Sequence, residues 1–276
     1  MKLLDGKTLA AALRADIKEK IQKADVVPGL AVVIVGEDPA SKIYVRNKVN
    51  ACADVGMRSF VYELPSDVAQ KDLEGVLDTL AVDANVHGIL LQLPLPKGLN
   101  AEAAMARIPT EKDVDGFSAE HLGRLVLGEQ PYAACTPSGV MKLLENANIP
   151  LEGKHAVVLG RSNTVGKPMA LLLLNANATV TVCHSKTKNL DELCRNADIL
   201  VSAIGQPKFV TADMVKPGAV VVDVGINRDE NGKLCGDVDF ENVSKVADWI
   251  TPVPGGVGPM TITMLLYNTC IAAWKE

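Results

Sequence analysis

Short apolar runs alternate with amphipathic segments along the chain, and the first part of this pattern predicts a βαβαβ series. The runs LAVVIVG (30–36), SFVYEL (59–64) and VHGILLQ (86–92) have the length and the β-branched content of buried strands. Helices are predicted between them, over residues 41–56 and 67–81. Strands that alternate with helices in this way form a parallel sheet with helices packed on it.

A second α/β series follows the segment KDVDGFSAE (112–120). Its predicted strands are 155–160, 179–184, 198–205, 219–227 and 248–253, and its predicted helices are 165–178 and 189–197. A last helix is predicted over 259–276, and we expect it to pack back onto the first series. The pair Asn231-Gly232 predicts a hairpin turn within 227–238.

Together the two series predict an α/β protein of two domains with a cleft between them. The first predicted domain comprises residues 1–118 and 262–276, and the second, of the Rossmann type, comprises residues 119–261. A chain of 276 residues is long for one average domain and sufficient for two.

Composition narrows the classes of protein that fit this pattern. Hydrophobic residues make up 48% of the chain, while a net charge of -5 and only 4% aromatic residues argue against a nucleic-acid surface. No apolar run reaches the ~18 residues of a membrane span, and charges interrupt the start, so we predict neither an anchor nor a secretory leader. The six cysteines are scattered, which predicts a reducing cytoplasm and no disulfide framework or metal site.

The segment HAVVLGRSNTVGKPM (155–169) has the order of strand, glycine turn and helix that binds a dinucleotide. Gly160 and Gly166 bracket the turn, where main-chain N–H groups and the positive end of a helix dipole suit a pyrophosphate. Arg161 and Ser162 replace the middle glycine of the usual G-x-G-x-x-G spacing. The spacing alone therefore also fits an α/β turn that binds no nucleotide.

The end of the next strand indicates which dinucleotide the turn would hold. An NAD site carries an acidic residue about 20 residues after the first glycine, but here His184 and Ser185 stand at the end of the strand and the first carboxylate is Asp191. Ser185 can donate to a 2′-phosphate and Arg161 can pair with it, whereas a carboxylate would repel it. We therefore predict NADP rather than NAD; the alternative for His184 and Ser185 is a solvated strand end.

Ser41, Tyr44 and Lys48 stand at i, i+3 and i+7 of the predicted helix 41–56, and hence on one face of it. Contact with solvent is one explanation of such a face, and a reacting ligand is the other. A Tyr-x-x-x-Lys pair is also typical of short-chain dehydrogenases. In those enzymes the pair follows the glycine turn, whereas Lys48 lies far upstream of Gly160, so that interpretation fails.

Three further features lie where ligands often bind in α/β folds. Gln92 ends the third predicted strand, Asp115 lies in KDVDGF, and PVPGGVGPMT (252–261) is a glycine-rich loop suited to close contact with a planar ligand. Each also has an ordinary structural explanation. Gln92 fits a strand cap, Asp115 an N-cap or turn residue, and the glycine-rich loop a linker.

Taken together, these motifs resemble those of the bifunctional methylenetetrahydrofolate dehydrogenase/methenyltetrahydrofolate cyclohydrolase family. The resemblance runs almost end to end. Besides the helix of Ser41, Tyr44 and Lys48 it includes VHGILLQLPLP (86–96), KDVDGF (112–117), CTPSGV (135–140), GRSNTVGKP (160–168), HSKTKNL (184–190), DVGIN (223–227) and TPVPGGVGPMT (251–261). Ala134 departs from the pattern, because many relatives have proline there; the change affects backbone stiffness and no predicted catalytic role.

The resemblance implies oxidation of 5,10-methylenetetrahydrofolate with NADP⁺ and hydrolysis of the product to 10-formyltetrahydrofolate. It implies that Lys48 is the central catalytic group and that Gln92 holds its amine. An ordinary lysine is a poor base at neutral pH, so burial and the cationic substrate must lower its pKa. Tyr44 is implied to align Lys48 and cover the pterin, and Asp115 to bind the pterin. Ser41 either assists substrate binding or only faces solvent.

The remaining implied residues bind substrate or cofactor. The substrate set is completed by Gly255, Gly256 and Pro259, and the NADP set is Gly160, Arg161, Ser162, Val165, Gly166, His184, Ser185 and Ile226. Tetrahydrofolate derivatives and a second copy of the chain, in a homodimer through the nucleotide domain, are the implied partners, with residues 227–238 a candidate part of that interface. A role in one-carbon metabolism and purine biosynthesis is implied as well.

Three other functions fit parts of the sequence. A monofunctional dehydrogenase would keep the fold and lose the hydrolytic step, although Tyr44, Lys48 and Gln92 are all retained. A non-enzymatic folate- or nucleotide-binding protein would not need that set of residues. An unrelated Rossmann oxidoreductase acting on a carbonyl substrate would not need KDVDGF (112–117) or PGGVGPMT (254–261).

Overall fold

The computed structural model describes residues 1–129 and 132–274, and it has the α/β architecture that the sequence predicts. Residues 275–276 of the predicted last helix and residues 130–131 of the predicted second domain lie outside the described residues. The strands are β1 (Lys2–Leu3), β2 (Gly29–Val35), β3 (Arg58–Leu64), β4 (Gly88–Leu91), β5 (His155–Leu159), β6 (Thr179–Cys183), β7 (Ile199–Ser202), β8 (Val220–Asp223), β9 (Asn227–Arg228), β10 (Leu234–Cys235) and β11 (Trp249–Ile250). The helices are α1 (Gly6–Lys23), α2 (Pro39–Val55), α3 (Gln70–Val82), α4 (Ala101–Met105), α5 (Ala119–Leu127), α6 (Cys135–Asn146), α7 (Gly166–Asn175), α8 (Leu190–Arg195), α9 (Phe240–Val243) and α10 (Val257–Trp274), with 3₁₀ turns at Thr110–Lys112 and Ala212–Met214.

The chain divides into two compact units. The three-stranded unit contains Ala12–Arg124, Glu129–Cys135 and Ile262–Glu276, and the six-stranded unit contains Met1–Ala11, Leu125–Gly128 and Thr136–Thr261. The predicted domain bounds stay a prediction. These units differ from them over residues 119–124 and 129–135, which belong to the three-stranded unit, and at the N-terminus. At the N-terminus the reason is that β1 pairs in parallel with β11, so the first residues join the six-stranded sheet.

In the three-stranded unit, β2 lies at the centre of a parallel sheet with β3 on one side and β4 on the other. Every residue of β2 is buried, because helices cover both faces of the sheet. Leu30, Val32 and Ile34 pack among residues of α1, α2 and α10, whereas Ala31 and Val33 pack among residues of α3. This alternation is the two-residue period of a strand, and it explains why LAVVIV is apolar throughout.

The last helix, α10, packs back onto this sheet as predicted. Met264, Leu265, Leu266 and Cys270 belong to the same buried cluster as the residues of β2. The sequence LLYNTCIAAW thus serves as one cover of the sheet. Among the described residues, no helix is both long and apolar enough to span a bilayer.

In the six-stranded sheet of the other unit, all strand pairs are parallel and the strand order is β6-β5-β7-β8-β11-β1. The chain moves from β5 outward to β6 and then returns to the other side of β5 to form β7. The order therefore reverses between β5 and β7, and in open α/β sheets ligands bind at the carboxyl ends of the strands at such a reversal. This topology confirms the predicted Rossmann-type arrangement.

Two short features outside the main strands complete the fold. The predicted hairpin is present, with β9 paired antiparallel to β10 around Asn231-Gly232, where Gly232 has a φ of +75°. The strand β1 was not predicted, because a strand of two residues is too short to show a periodic pattern. All six cysteines are described, and each is a thiol rather than half of a disulfide.

Candidate active site

Lys48 and Gln92, which are far apart in sequence, meet in the three-stranded unit. Lys48 lies on α2, and Gln92 directly follows β4, the neighbour of β2. The Lys48 Nζ donates to Gln92 Oε1 at 3.0 Å, and Gln92 Nε2 donates to the carbonyl oxygen of Leu93 at 2.6 Å. The second bond orients the amide so that its oxygen faces the amine. The Leu93–Pro94 peptide bond is cis.

The Lys48 amine and the Asp115 carboxylate influence each other electrostatically. Burial lowers the pKa of Lys48 from its ordinary value, and the charge of Asp115 acts in the opposite direction. Burial raises the pKa of Asp115, and the charge of Lys48 acts against this rise. Both groups are thus partly removed from water, and each favours the charged form of the other.

The KDVDGF turn that carries Asp115 is held by a second carboxylate. Asp113 is buried, and it accepts from the N–H groups of Gly116 at 3.1 Å and Ser118 at 2.7 Å, and contacts His121 Nδ1 at 3.1 Å. Sequence reasoning singled out Asp115 and missed Asp113. The D-x-D pattern of the motif was the available signal, since two acids so close seldom have the same role.

Cys135 and Asn268 also support this turn, and sequence reasoning assigned a role to neither. Asn268 is buried on α10, and its Nδ2 donates to the carbonyl oxygens of Val114 at 2.9 Å and Ala133 at 3.1 Å. The Cys135 Sγ lies 3.3 Å from the carbonyl oxygen of Val114 and within hydrogen-bonding reach of Asp115. Val114, which directly precedes Asp115, and Ala133 are thereby tied to a helix that is remote in sequence.

Tyr44 and Ser41 occupy different environments although they share a helix face. The Tyr44 side chain is 37% exposed, whereas Ser41 is only 4% exposed. The Ser41 N–H donates to the N-cap Asp38 Oδ2 at 2.7 Å, and the Ser41 hydroxyl also hydrogen-bonds that carboxylate, which lowers the pKa of Asp38. The alternative that Ser41 faces solvent is therefore wrong; its role toward a substrate stays a prediction.

In the six-stranded unit, the glycine turn follows β5 directly. Gly160 has a φ of +113°, and a Cβ on Gly166 would lie 2.2 Å from the carbonyl oxygen of Gly160, so no other residue fits either position without a shift. Ser162 Oγ accepts from the N–H groups of Val165 at 3.1 Å and Gly166 at 3.3 Å. These N–H groups, of the N-cap residue and the first residue of α7, are predicted to face a phosphate, but here the Ser162 hydroxyl accepts from them.

Arg161 and Ser185 project from neighbouring strand ends. Leu159 of β5 is in register with Cys183 of β6, so Arg161 and Ser185 each follow that pair by two residues. Both are exposed, and His184, half-buried between them and the strand, accepts a main-chain N–H at its Nδ1. Two groups that can donate to a phosphate therefore lie at the same edge of the sheet, where an NAD site would have a carboxylate.

The loop before α10 is built on a close approach of main-chain segments. Gly255 has a φ of +108°, and its carbonyl oxygen accepts from the N–H of Lys7 at 2.9 Å. Gly256 is buried, and a Cβ on it would lie 2.6 Å from a main-chain carbonyl oxygen. Pro259 is half-buried in the first turn of α10, and the Val253–Pro254 bond is cis. The main chain is therefore closely packed at Gly256 and held to Lys7 at Gly255.

Within each unit the structure brings most of the predicted residues together. Lys48, Gln92 and Asp115 form one group in the three-stranded unit. The glycine turn and the end of β6 form another in the six-stranded unit, where Ile226, 49% exposed, follows β8 at the same edge of the sheet. Their roles toward a substrate or cofactor stay predictions.

Comparison with known proteins gives a consistent result over the whole chain. Residues 4–115 match the family model of the tetrahydrofolate dehydrogenase/cyclohydrolase catalytic domain, and residues 134–276 match that of the NAD(P)-binding domain. A relative from Dechloromonas aromatica, "Bifunctional protein FolD", is 57% identical over 277 residues, covering 99% of this chain and 98% of the relative.

Solved structures agree with the sequence comparison. The bifunctional methylenetetrahydrofolate dehydrogenase/cyclohydrolase FolD from Campylobacter jejuni superposes with a TM-score of 0.98 at 51% identity, covering 100% of this chain and 99% of that one. The Trypanosoma brucei N5,N10-methylenetetrahydrofolate dehydrogenase-cyclohydrolase, solved with NADP cofactor and an inhibitor, superposes with a TM-score of 0.94 at 40% identity, covering 98% and 96%.

Substitution of Gly116 tests how tightly the Asp115 turn is built. Gly116 has a φ of +75°, and a Cβ there would lie 2.8 Å from the main-chain nitrogen of Ala134. We expect Gly116→Ala to lower the free energy of unfolding by ~1–3 kcal/mol, measured by urea titration. Gly123→Ala on α5 is the control, because nothing lies within 4 Å of its Cβ position. This control should stabilise by ~0.5–1 kcal/mol, and equal effects of the two changes would show that the turn is not tightly built.

Proposed function

The chain belongs to the tetrahydrofolate dehydrogenase/cyclohydrolase family, and from that membership we infer that it is a bifunctional folate enzyme. It oxidises 5,10-methylenetetrahydrofolate with NADP⁺ to 5,10-methenyltetrahydrofolate, and then hydrolyses that cation to 10-formyltetrahydrofolate. The observation that carries this conclusion is the Lys48–Gln92 hydrogen bond beside Asp115 in a chain matched end to end by bifunctional relatives. A monofunctional dehydrogenase would not require that arrangement.

The six-stranded unit has the groups that an NADP site needs. Arg161 and Ser185 are exposed donors for the 2′-phosphate, and Gly160 and Gly166 let the pyrophosphate approach the main chain. We assign the remaining contacts to Ser162, Val165, His184 and Ile226. When bound, NADP⁺ supplies the acceptor for the hydride of the methylene carbon. Because that step transfers no proton to the protein, the residues of the chain act in it by placement alone.

In the hydrolytic step, Lys48 handles the proton. Water attacks the methenyl carbon, and the adduct loses one proton to give a neutral carbinolamine. The hydroxyl proton of the carbinolamine then leaves as the C=O bond forms, while N5 takes up a proton and its bond to that carbon breaks, so one proton is released overall. Burial lowers the pKa of Lys48, which raises the fraction of neutral amine that can accept the first proton. Gln92 Oε1 accepts from the Lys48 Nζ and keeps it aimed at one position. The cationic substrate lowers the pKa of Lys48 further.

Asp115 and Tyr44 hold the pterin in this proposal. A carboxylate can accept two parallel hydrogen bonds, from the 2-amino group and from N3–H of the pterin ring. The half-exposed ring of Tyr44, one turn before Lys48 on α2, supplies a flat surface for the ring system. Gly255, Gly256 and Pro259 are assigned to substrate contacts because their main chain leaves room for a planar group. Ser41 supports Tyr44 through the helix N-cap.

We further propose a homodimer in the cytoplasm. The strand β6 is at an edge of the six-stranded sheet, with Val182 38% exposed, and Leu174 on the preceding helix is 55% exposed. An apolar sheet edge of this kind suits pairing with a second copy across a two-fold axis, and the β9–β10 hairpin is a further candidate surface. The six thiols suit a reducing compartment. The formyl product suits a role in one-carbon supply for purine biosynthesis.

A product-resolved assay with Lys48→Met tests the function and the role of Lys48 together. Purified wild type, given 5,10-methylenetetrahydrofolate and NADP⁺, should form NADPH and 10-formyl product together, above the uncatalysed hydrolysis rate. In Lys48→Met the hydrolysis rate should fall by a factor of about 10²–10⁴, since an acid–base group contributes that much. Hydride transfer should be partly retained, and methenyl product should accumulate.

Lys142→Met is the matched control, because Lys142 lies in the six-stranded unit, its side chain is 43% exposed, and it pairs with Glu145. Both activities should be unchanged in it. Undiminished hydrolysis by Lys48→Met would refute the role of Lys48. The wild type could instead form NADPH while its methenyl product decays only at the uncatalysed rate. That result would show that the protein is a dehydrogenase without cyclohydrolase activity.

Cofactor choice tests the assignment of Arg161 and Ser185. At equal subsaturating concentrations, dehydrogenase activity should be higher with NADP⁺ than with NAD⁺. Arg161→Ala should lower kcat/KM for NADP⁺ by about 10- to 100-fold, the range for a lost hydrogen bond to a charged group. The same change should have little effect with NAD⁺, which lacks the 2′-phosphate and serves as the internal control. Equal rates with both cofactors in the wild type would contradict the assignment.

A further inference from the structure

A fully buried carboxylate with no role assigned so far lies in the six-stranded unit. Asp237, which follows β10, is 0% exposed. Five groups donate to it: Ser202 Oγ at 3.1 Å, Ile204 N at 2.8 Å and Gly205 N at 3.3 Å to Oδ2, and Gln206 N at 2.9 Å and Asn227 Nδ2 at 2.9 Å to Oδ1. All five donors are neutral, so hydrogen bonds and not an ion pair compensate for its burial.

The surrounding chain is shaped to admit this carboxylate. A Cβ on Gly225 would lie 2.2 Å from Asp237 Oδ1, and a Cβ on Gly236 would lie 1.9 Å from Asp223 Oδ2. Asp223, at the end of β8, in turn accepts from the N–H groups of Asp237 and Val238, both at 2.9 Å. The two glycines of DVGIN and GDV therefore make room for two carboxylates, and Asp223 fixes the main chain that presents Asp237.

Asp237 determines the shape of the loop that follows β7. Three successive N–H groups, of Ile204, Gly205 and Gln206, point to its carboxylate, and Gly205 has a φ of +67°. Successive N–H groups arranged in this way form a concave nest for an anion. Here the anion is a side chain of the same unit, so the loop of residues 203–206 is folded around an internal charge.

This loop lies at the place in the sheet where the cofactor would extend. It begins at the carboxyl end of β7, next to β5 at the reversal of strand order, and a Cβ on Gly160 would lie 2.3 Å from the carbonyl oxygen of Ala203. The proposed 2′-phosphate contacts are at the ends of β5 and β6, and the pyrophosphate contacts follow β5. The other half of the dinucleotide then extends over the ends of β7 and β8, where residues 203–206 and Asn227 lie.

We propose that Asp237 is a positioning residue for the cofactor. Its carboxylate fixes residues 203–206 and the Asn227 side chain in the shape that receives the nicotinamide half of NADP⁺. The inference rests on the proposed function. The two can be tested separately, because the protein has two proposed activities and only one of them uses the cofactor. Only the dehydrogenase step uses NADP⁺, whereas hydrolysis of added 5,10-methenyltetrahydrofolate uses Lys48 and Gln92 in the other unit.

The test is Asp237→Asn in the full-length protein, with Asp239→Asn as the matched control. In either orientation of the new amide its nitrogen would face N–H donors, so residues 203–206 must rearrange. We expect the KM for NADP⁺ and its Kd by calorimetry to rise by about tenfold or more, the effect of losing hydrogen bonds to a charged group. The KM for 5,10-methylenetetrahydrofolate and the hydrolysis rate should stay within about twofold. Asp239 contacts Asn242 at the start of α9, and its change should leave all values unaltered.

Ser202→Ala provides a second variant that removes one donor and leaves four. It should raise the KM for NADP⁺ by a smaller factor than Asp237→Asn does, with the hydrolysis rate unchanged. If Asp237→Asn does not fold, this variant alone tests whether the Asp237 contacts position the cofactor. Unchanged NADP⁺ binding in Ser202→Ala and Asp237→Asn, or a parallel loss of both activities in Ser202→Ala, would overturn the inference. A wild type without dehydrogenase activity would instead overturn the proposed function.

Discussion

The proposed chemistry depends on two opposing effects on the pKa of Lys48, which are the burial of its amine and the charge of a neighbouring carboxylate. Burial alone would favour the neutral amine, and the charge of Asp115 alone would favour the ammonium. With both present, Lys48 keeps a lowered pKa and remains in a defined position through its bond to Gln92. An amine that is poised in this way can take and return a proton, which a fully solvated lysine at neutral pH does poorly. The sheet, the helix α2 and the KDVDGF turn are arranged around this pair of charges.

Both units use a buried carboxylate to shape the chain next to a proposed ligand. Asp113 accepts main-chain N–H groups of the KDVDGF turn, and Asp237 accepts those of residues 204–206. Each loop has a glycine in the left-handed region, Gly116 in one and Gly205 in the other. A carboxylate can accept several N–H groups at once, so it fixes an irregular loop more firmly than one neutral side chain can. This device leaves the ligand-facing side of the loop free for recognition.

The sequence was sufficient to predict those elements and site residues that a local hydrophobic pattern or a motif marks. The strands β2 and β5 were predicted because apolar runs of strand length record burial on two faces, and Gly160 and Gly166 were recognised because the turn needs glycine. The contact of Lys48 with Gln92 followed from the family resemblance together with the position of Gln92 at a strand end. Asn268 and Asp237 were missed because their partners are mostly main-chain groups, which carry no sequence signal. Asp113 was missed although the D-x-D pattern of its motif offered one. The strand β1 was missed because two residues are too few to show a periodic pattern and its partner β11 is remote in sequence.

The most direct test of the central claim is a titration of Lys48 in the folded protein. The pKa is measured by NMR of lysines labelled at Cε, with the Lys48→Met protein used to assign the signal. We predict a pKa below the ordinary lysine value of ~10.4, and a still lower pKa in Asp115→Asn, because the opposing negative charge is removed. A pKa at or above the ordinary value in the wild type, or no change in Asp115→Asn, would contradict the claim that burial and Asp115 together set the state of this amine.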